Sequence, residues 1–362
     1  MATYGSGGAP SSSTYNYDSL VASSVANYRK TLVDNISKSN PLFHKAFGKK
    51  LWESQDGGLH IAQDLLINVG GLEPYDSYDE LPLTPIDPLT QIQVEWRQLA
   101  APLSISEKER KQNKHRIVSL VESRLKGVEL GVYENFTKHL LQGSLAGSGT
   151  DIREPYINSA NGAASIDPLG RLIMYDPTAS YLIGNINQST SSWWRNYTKT
   201  STATTGDELL EEWLEMYMRC SKGPGGAPDL IYTDMKTWAL VRRAYAQKYR
   251  ATDKDDNLPF TNYKFMDATV VWDEDIPDVA ANSGAGALTA ETTKGTAYFI
   301  NTDFFKIIYE FETNFVWTEW QKPINQDVKG KHILWMGNTM VNNRRKMGVI
   351  GNIARTLTFS AI

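Results

Sequence analysis

The side chains able to act as acids, nucleophiles or metal ligands are few in this chain, and their spacing suits none of those tasks. The histidines are His44, His60, His115, His139 and His332. A metal or acid–base site needs its members brought to one point, usually within a turn or across adjacent strands. His115 and His139 fall on one expected helix but too far apart to share a metal, and the others are scattered. Cys220 is the only cysteine, which excludes an intrachain disulfide and a thiolate zinc cluster. Asp253-Lys-Asp-Asp-Asn257 opens like a calcium loop, but such a loop needs Gly at its sixth position and Glu at its twelfth. Leu258 and Lys264 stand there, so the stretch reads as a solvated turn. Gly143-Ser-Leu-Ala-Gly-Ser-Gly149 lacks the Lys-Ser/Thr of a phosphate-binding loop and follows a helix where that motif follows a strand. It reads as a linker. Asn35, Asn135, Asn187 and Asn196 stand in glycosylation sequons, which matter only to an exported chain. No catalytic, cofactor-binding or metal-ligating residue is assigned, and the expectation is a protein that is not an enzyme.

The polar groups that remain are charge clusters. Lys108, Arg110, Lys111, Lys114, His115 and Arg116 form a basic run, and Glu73, Asp76, Asp79, Glu80 and Asp87 form an acidic one. A single-stranded nucleic-acid groove interleaves its cations with aromatic rings, and none interleave here. Contact between the acidic run of one copy and the basic run of the next is the alternative, although exposed ion pairs contribute only about 0–1 kcal/mol each.

The elements that carry these clusters have an unusual layout. A strand, Ile61–Val69, sets Ile61, Leu65, Ile67 and Val69 on one face, and a second, Gln91–Arg97, does the same with Ile92, Val94 and Trp96. Between them the acidic, proline-studded stretch 70–88 is far longer than the 2–5 residues a hairpin turn usually needs. A two-stranded arm is barely stable alone in water. Its apolar face, with Leu65, Ile67, Val94 and Trp96, is therefore expected to lie on a neighbouring copy of the chain. A helix follows from Glu107 to about Gln142 with a stripe of Ile117, Val121, Leu125, Val128, Val132, Phe136 and Leu140. Gly127 and Gly131 interrupt its propensity, which suggests close approach of another backbone.

The remaining segments read as helices and then strands. Residues 1–17 form a Gly/Ser/Tyr-rich arm, followed by an amphipathic helix from Asp18 to about Ser37. A helix at 206–222 has an acidic start, a basic end and a Gly223-Pro-Gly-Gly226 stop, with Leu210, Trp213, Leu214 and Tyr217 as its buried stripe. A strand at 228–233 leads to a helix at 234–249 carrying Trp238, Val241, Tyr245 and Tyr249. Strands are expected at 268–272, 296–300, 304–309, 315–320 and 333–336. Polar loops at 251–261 and 280–295 are expected to be adaptable. This is an α+β chain.

Length, charge and composition narrow the class further. The chain has 362 residues and a formal charge of -4, against the basic excess of a nucleic-acid-gripping protein. No apolar run reaches the roughly 20 residues of a membrane span. The start of the chain lacks the basic and apolar blocks of a signal peptide, so a soluble protein made inside the cell is expected.

This order of parts resembles the major capsid proteins of tailed double-stranded DNA bacteriophages, which have the Hong Kong 97-type (HK-97) fold. Ser106-Glu-Lys-Glu-Arg-Lys-Gln-Asn113 is similar to their lead into a spine helix. Ser192-Trp-Trp-Arg-Asn196 resembles their Trp-Trp-x-Asn segment, and Pro228-Asp-Leu-Ile-Tyr-Thr233 their strand before an A-domain helix. The tail Leu334–Gly351 is similar to their returning segment. The resemblance implies an N-terminal arm at 1–50, an E-loop hairpin at 51–106 and a P-domain at 107–204 with its spine helix at 107–142. An A-domain at 205–322 and return strands at 323–362 complete it. It also implies self-assembly as homo-hexamers and homo-pentamers into an icosahedral shell around packaged double-stranded DNA, without sequence-specific contacts. A portal protein, a separate scaffolding protein and a decoration protein are the implied partners, with no membrane and no cofactor. The implied location is the virion, after assembly in the host bacterial cytoplasm. Candidate intersubunit residues are Leu65, Ile67, Val94, Trp96, Glu73, Asp76, Asp79, Glu80, Lys108, Arg110 and Lys111. The rival readings are a cellular nanocompartment (encapsulin-like) shell protein and a soluble α+β enzyme.

Overall fold

The computed structural model describes residues 51–67, 74–77, 88–112, 120–147, 151–248, 263–277 and 294–357. The expected arm and helix at 1–50, most of the hairpin tip, and the loops at 251–261 and 280–293 lie outside them. The chain divides into two compact units; the described parts of the smaller one are Ala100–Tyr133 and Trp317–Ile333.

The larger unit is built on a six-stranded sheet that is buried on both faces. Its strands are β7 (Tyr197–Thr200), β8 (Leu230–Thr233), β9 (Tyr263–Phe265), β10 (Ala268–Trp272), β11 (Lys294–Ile300) and β15 (Gly348–Ala354), in the order β7-β15-β11-β8-β10-β9. The β7/β15 and β8/β10 pairs are parallel and the others antiparallel. Alternation along each strand divides two cores. Leu230, Tyr232, Val271, Tyr298, Ile300 and Val349 face one, and Ile231, Val270, Ala297, Phe299 and Ile350 face the other. Burial on both faces is why these strands read as continuous apolar runs.

Two helices pack on the second face, α4 (Gly206–Ser221) and α5 (Met235–Lys248). Thr205 and Glu208 form a reciprocal capping box at the start of α4, satisfying donors the first turn leaves open. Leu209, Leu210, Trp213, Met216, Tyr217 and Cys220 are its buried residues on the core side, with Leu214 half-buried. On α5, Val241 is fully buried and Trp238 partly so. Gly295 lets β11 run against α5, since a Cβ there would stand 1.9 Å from Thr237 Oγ1.

The first core continues into a second sheet. There β1 (Trp52–Gln55) lies parallel to β12 (Phe305–Glu310), which pairs antiparallel with β14 (Val328–Val341). Trp52, Phe136, Phe315 and Trp335 form an aromatic cluster with centroids 5.0–6.4 Å apart. The short elements α3 (Leu169–Leu172), β5 (Leu182–Ile183) and β6 (Ile186–Asn187) fill the remaining edge.

In the smaller unit β4 (Arg97–Ser106) pairs with β14, and β13 (Val316–Trp317) begins a hairpin closed by the Gln321/Gly330 bridge. The expected strand 315–320 is thus in the ladder only at its start, and β4 was not expected at all. Helix is described at α1 (Glu107–Gln112) and α2 (Leu120–Gln142), both within the expected 107–142. The apolar stripe of α2 is buried at its C-terminal end, through Phe136, Leu140 and Leu141. It is only half-buried at Val121, Leu125, Val128 and Val132.

Candidate assembly surface

The hairpin consists of β2 (Ile61–Leu66) and β3 (Leu89–Val94), antiparallel, with Ile61 opposite Val94 and Leu66 opposite Leu89. Its alternation puts Ile61, Leu65, Ile92 and Val94 on one face. Three of these are buried in their own chain: Ile61, Ile92 and Val94 pack with Trp194, Ile308 and Met340, and Leu65 and Trp96 pack at the edge of this cluster. The seat is tight, because Gln93 N–H donates to Gly184 O and a Cβ at Gly184 (φ +60°) would stand 2.3 Å from Ile92 Cγ2. Trp96 is half-buried and its indole N–H donates to Gly58 O at 2.9 Å. Val94 is therefore committed internally, and so is the root of the face expected to meet a neighbour. The reason is that period-2 alternation marks a buried face without saying which surface buries it.

The other candidates are placed as follows. Ile67 is half-buried at the end of the described hairpin. Asp76 is exposed, whereas Glu73, Asp79 and Glu80 lie outside the described residues. Lys108, Arg110 and Lys111 are exposed on α1, and Arg110 pairs with Glu107 at 2.9 Å. Glu109, not expected to matter, is buried on the same helix. It takes two hydrogen bonds at 2.9 Å from Arg124 and one from Ser106 N–H at 3.1 Å. The Arg124 guanidinium holds its carboxyl below the usual carboxylate range.

The Trp-Trp-Arg-Asn segment and the tail meet in the core of the larger unit. Arg344 is 1 % exposed and donates to Leu172 O, Gln188 Oε1, Trp194 O and Asn196 Oδ1 at 2.8–2.9 Å. Burial among neutral acceptors pushes its pKa down to about 9. Asn196 closes the network by exchanging hydrogen bonds with the Met174 backbone. Beside it Lys346 donates to the carbonyls of Lys222, Gly223 and Gly226, fixing the turn that ends α4. Sequence reasoning missed both cations. The available signal was a charged triplet, Arg344-Arg-Lys346, inside an otherwise uncharged tail.

Two groups able to do chemistry, Cys220 and His139, are turned inward, whereas His60 and His332 are exposed. Burial raises the Cys220 thiol to about 12, so it is protonated and inert. His139 stacks on Tyr156 at 4.4 Å, shares a hydrogen bond with Ser165, and is pushed by burial down to about 4. Among the described residues no group of His, Cys, Asp or Glu is placed to hold a metal. No helix among them is long and apolar enough to cross a membrane.

No protein-family model matches the chain, and no curated protein matches it either. Solved structures do. The cyanophage A-1(L) capsid subunit is similar with a TM-score of 0.63 at 14 % identity, over 91 % of this chain and 97 % of that one. The capsid of Myoviridae phage XM1 gives 0.53 at 11 % identity, again over 91 % and 97 %. The capsid of a native GTA particle gives 0.51 at 9 % identity, over 91 % and 96 %. Near end-to-end coverage in both directions means that the whole chain, and not one lobe, shares the architecture. The chain has the Hong Kong 97-type fold of tailed-phage capsid proteins.

Proposed function

We propose that the chain is the major capsid protein of a tailed double-stranded DNA phage and that its function is mechanical. The observation that carries this reading is the fold match across almost the full length of both chains. Homo-hexamers and homo-pentamers close into an icosahedral shell, and weak contacts repeated many times hold it against the pressure of packaged DNA. In this reading residues 51–106 act as the E-loop, 107–204 as the P-domain and 205–322 as the A-domain. A scaffolding protein, a portal and a decoration protein act on the shell, which assembles in the bacterial cytoplasm and ends in the virion. Electron microscopy of particles purified from cells producing the chain tests the proposal. Closed shells built from this chain and carrying DNA support it. Shells that enclose an enzyme and no genome would assign the chain to the nanocompartments instead.

A further inference from the structure

Asn161 is followed by Gly162, and no other asparagine of the chain precedes a glycine. The pair stands at the tip of a short turn that the Ile157/Ala164 bridge closes. Residues 157–163 are all exposed, whereas Asn196, Asn301 and Asn338 are buried with their amides hydrogen-bonded. An exposed turn of small residues opens at little cost, so water and hydroxide reach its backbone.

The local geometry supplies an electrophile and a nucleophile side by side. Ala163 N–H donates to Asn161 Oδ1 at 3.0 Å. A side chain bonded to the backbone two residues on is folded back along its own chain, which keeps its amide carbon near the intervening nitrogen, here that of Gly162. The same bond polarises the Asn161 carbonyl and favours the charge its oxygen gains under attack. Gly162 has no side chain to shield its nitrogen, and no atom lies within 4 Å of where its Cβ would stand, at φ +70°. One contact opposes the reaction. Gly162 N–H donates to Asn158 O at 2.8 Å, so its proton is lost only when the turn opens.

We propose that Asn161 is a site of spontaneous covalent modification, at which the side-chain amide becomes a carboxylate through a cyclic imide. Hydroxide removes the Gly162 amide proton, and the nitrogen attacks Asn161 Cγ. The new N–Cγ bond closes the imide ring, the Cγ–Nδ2 bond breaks, and Nδ2 leaves as ammonia with a proton from water. Water then adds to one imide carbonyl. Breaking the bond to Cγ gives aspartate, and breaking the bond to the backbone carbonyl carbon gives isoaspartate. Nothing is oxidised or reduced, and water is the only co-reactant. Each event adds one negative charge to a chain whose formal charge is -4. The isoaspartate route also lengthens the backbone of the turn by one methylene. The inference does not depend on the shell reading.

The full chain, incubated folded at pH 8.5 and then digested for mass spectrometry, tests the site. The peptide holding Asn161 should gain the mass of an amide-to-acid exchange and resolve into aspartate and isoaspartate forms. It should do so at least about tenfold faster than the peptides of the buried asparagines, which need a larger opening. It should also outpace Asn158 of the same turn, which precedes Ser159. Incubation at pH 6.5 should slow the change, because hydroxide drives the first step. Asn161→Gln should abolish the new acidic band on isoelectric focusing and leave Tm unchanged. Asn161 left intact while another described asparagine converts, a rate that ignores pH, or conversion only after unfolding in urea would each overturn the inference.

Discussion

Replacing Arg344 by methionine keeps roughly the volume of the side chain and removes its four donated hydrogen bonds. Leu172 O, Trp194 O, Gln188 Oε1 and Asn196 Oδ1 then lose a donor inside a site where the arginine is 1 % exposed. An unsatisfied buried acceptor costs about 1–3 kcal/mol, and four would exceed the stability of many domains. Two terms reduce the total. Asn196 keeps its bonds to Met174, and a buried cation without a carboxylate is itself expensive, as its lowered pKa shows. The net loss expected is about 3–5 kcal/mol, in line with breaking other buried charged networks. At about 2.1 cal/mol/K per residue this is a fall in Tm of about 5–10 °C for a unit of this size. Arg344→Lys should recover only part of it, because a single ammonium cannot reach four acceptors that a planar fork spans. Differential scanning calorimetry of the unassembled subunit reads both variants. A Tm within 2 °C of wild type for Arg344→Met would refute the reasoning, since the acceptors would then have found other donors.

His139 gives a pH prediction. Its pKa is depressed from 6.5 to about 4, so the unfolded chain binds the proton first. Stability should fall as pH drops from 6.5 to 4 and then level, by up to about 3 kcal/mol. Urea melts across that range check it, and His139→Gln should flatten the slope; an unchanged slope counts against the assignment. For Glu109 and Arg124, a double-mutant cycle with Glu109→Gln and Arg124→Met should give a coupling of about 1–3 kcal/mol. Because the Arg124 guanidinium lowers the Glu109 pKa, that coupling should persist below the usual carboxylate range and disappear only once acid protonates the carboxylate; a cycle that sums to zero at pH 7 would dismiss the pair. Between Lys50 and Lys108 the chain has no lysine, so the hairpin cannot supply one to an isopeptide bond. Mature particles boiled in denaturant should run as a single monomer band, and a covalent ladder would contradict this.

Much of the fold was legible because local and global signals agreed. On α4 the acidic start, the Gly223–Gly226 stop and the Leu210–Trp213–Tyr217 spacing all name the same element, found at Gly206–Ser221. On β8, Leu-Ile-Tyr-Thr is buried at every position, as a central strand requires. The strand β4 was missed although Leu99, Ala101, Leu103 and Ile105 alternate along it, because Pro102 argues against a ladder position. The hairpin was legible as a hairpin but not as to its partner. Alternation shows that Val94 is buried; only the fold shows that Trp194 and Met340 of the same chain bury it. Arg344 was illegible for a related reason. A cation in sequence predicts solvent, and its neutral acceptors come from segments about 150 residues away.

The central claim is that this chain builds a shell by contact with copies of itself. Cryo-electron microscopy of material pelleted from cells producing the full chain tests it most directly. The account predicts megadalton particles in which the chain repeats in sixfold and fivefold rings, each copy showing the six-stranded sheet and the hairpin of β2 and β3. A chain that stays a 40.5 kDa monomer at every concentration, with no particles in the pellet, would contradict it.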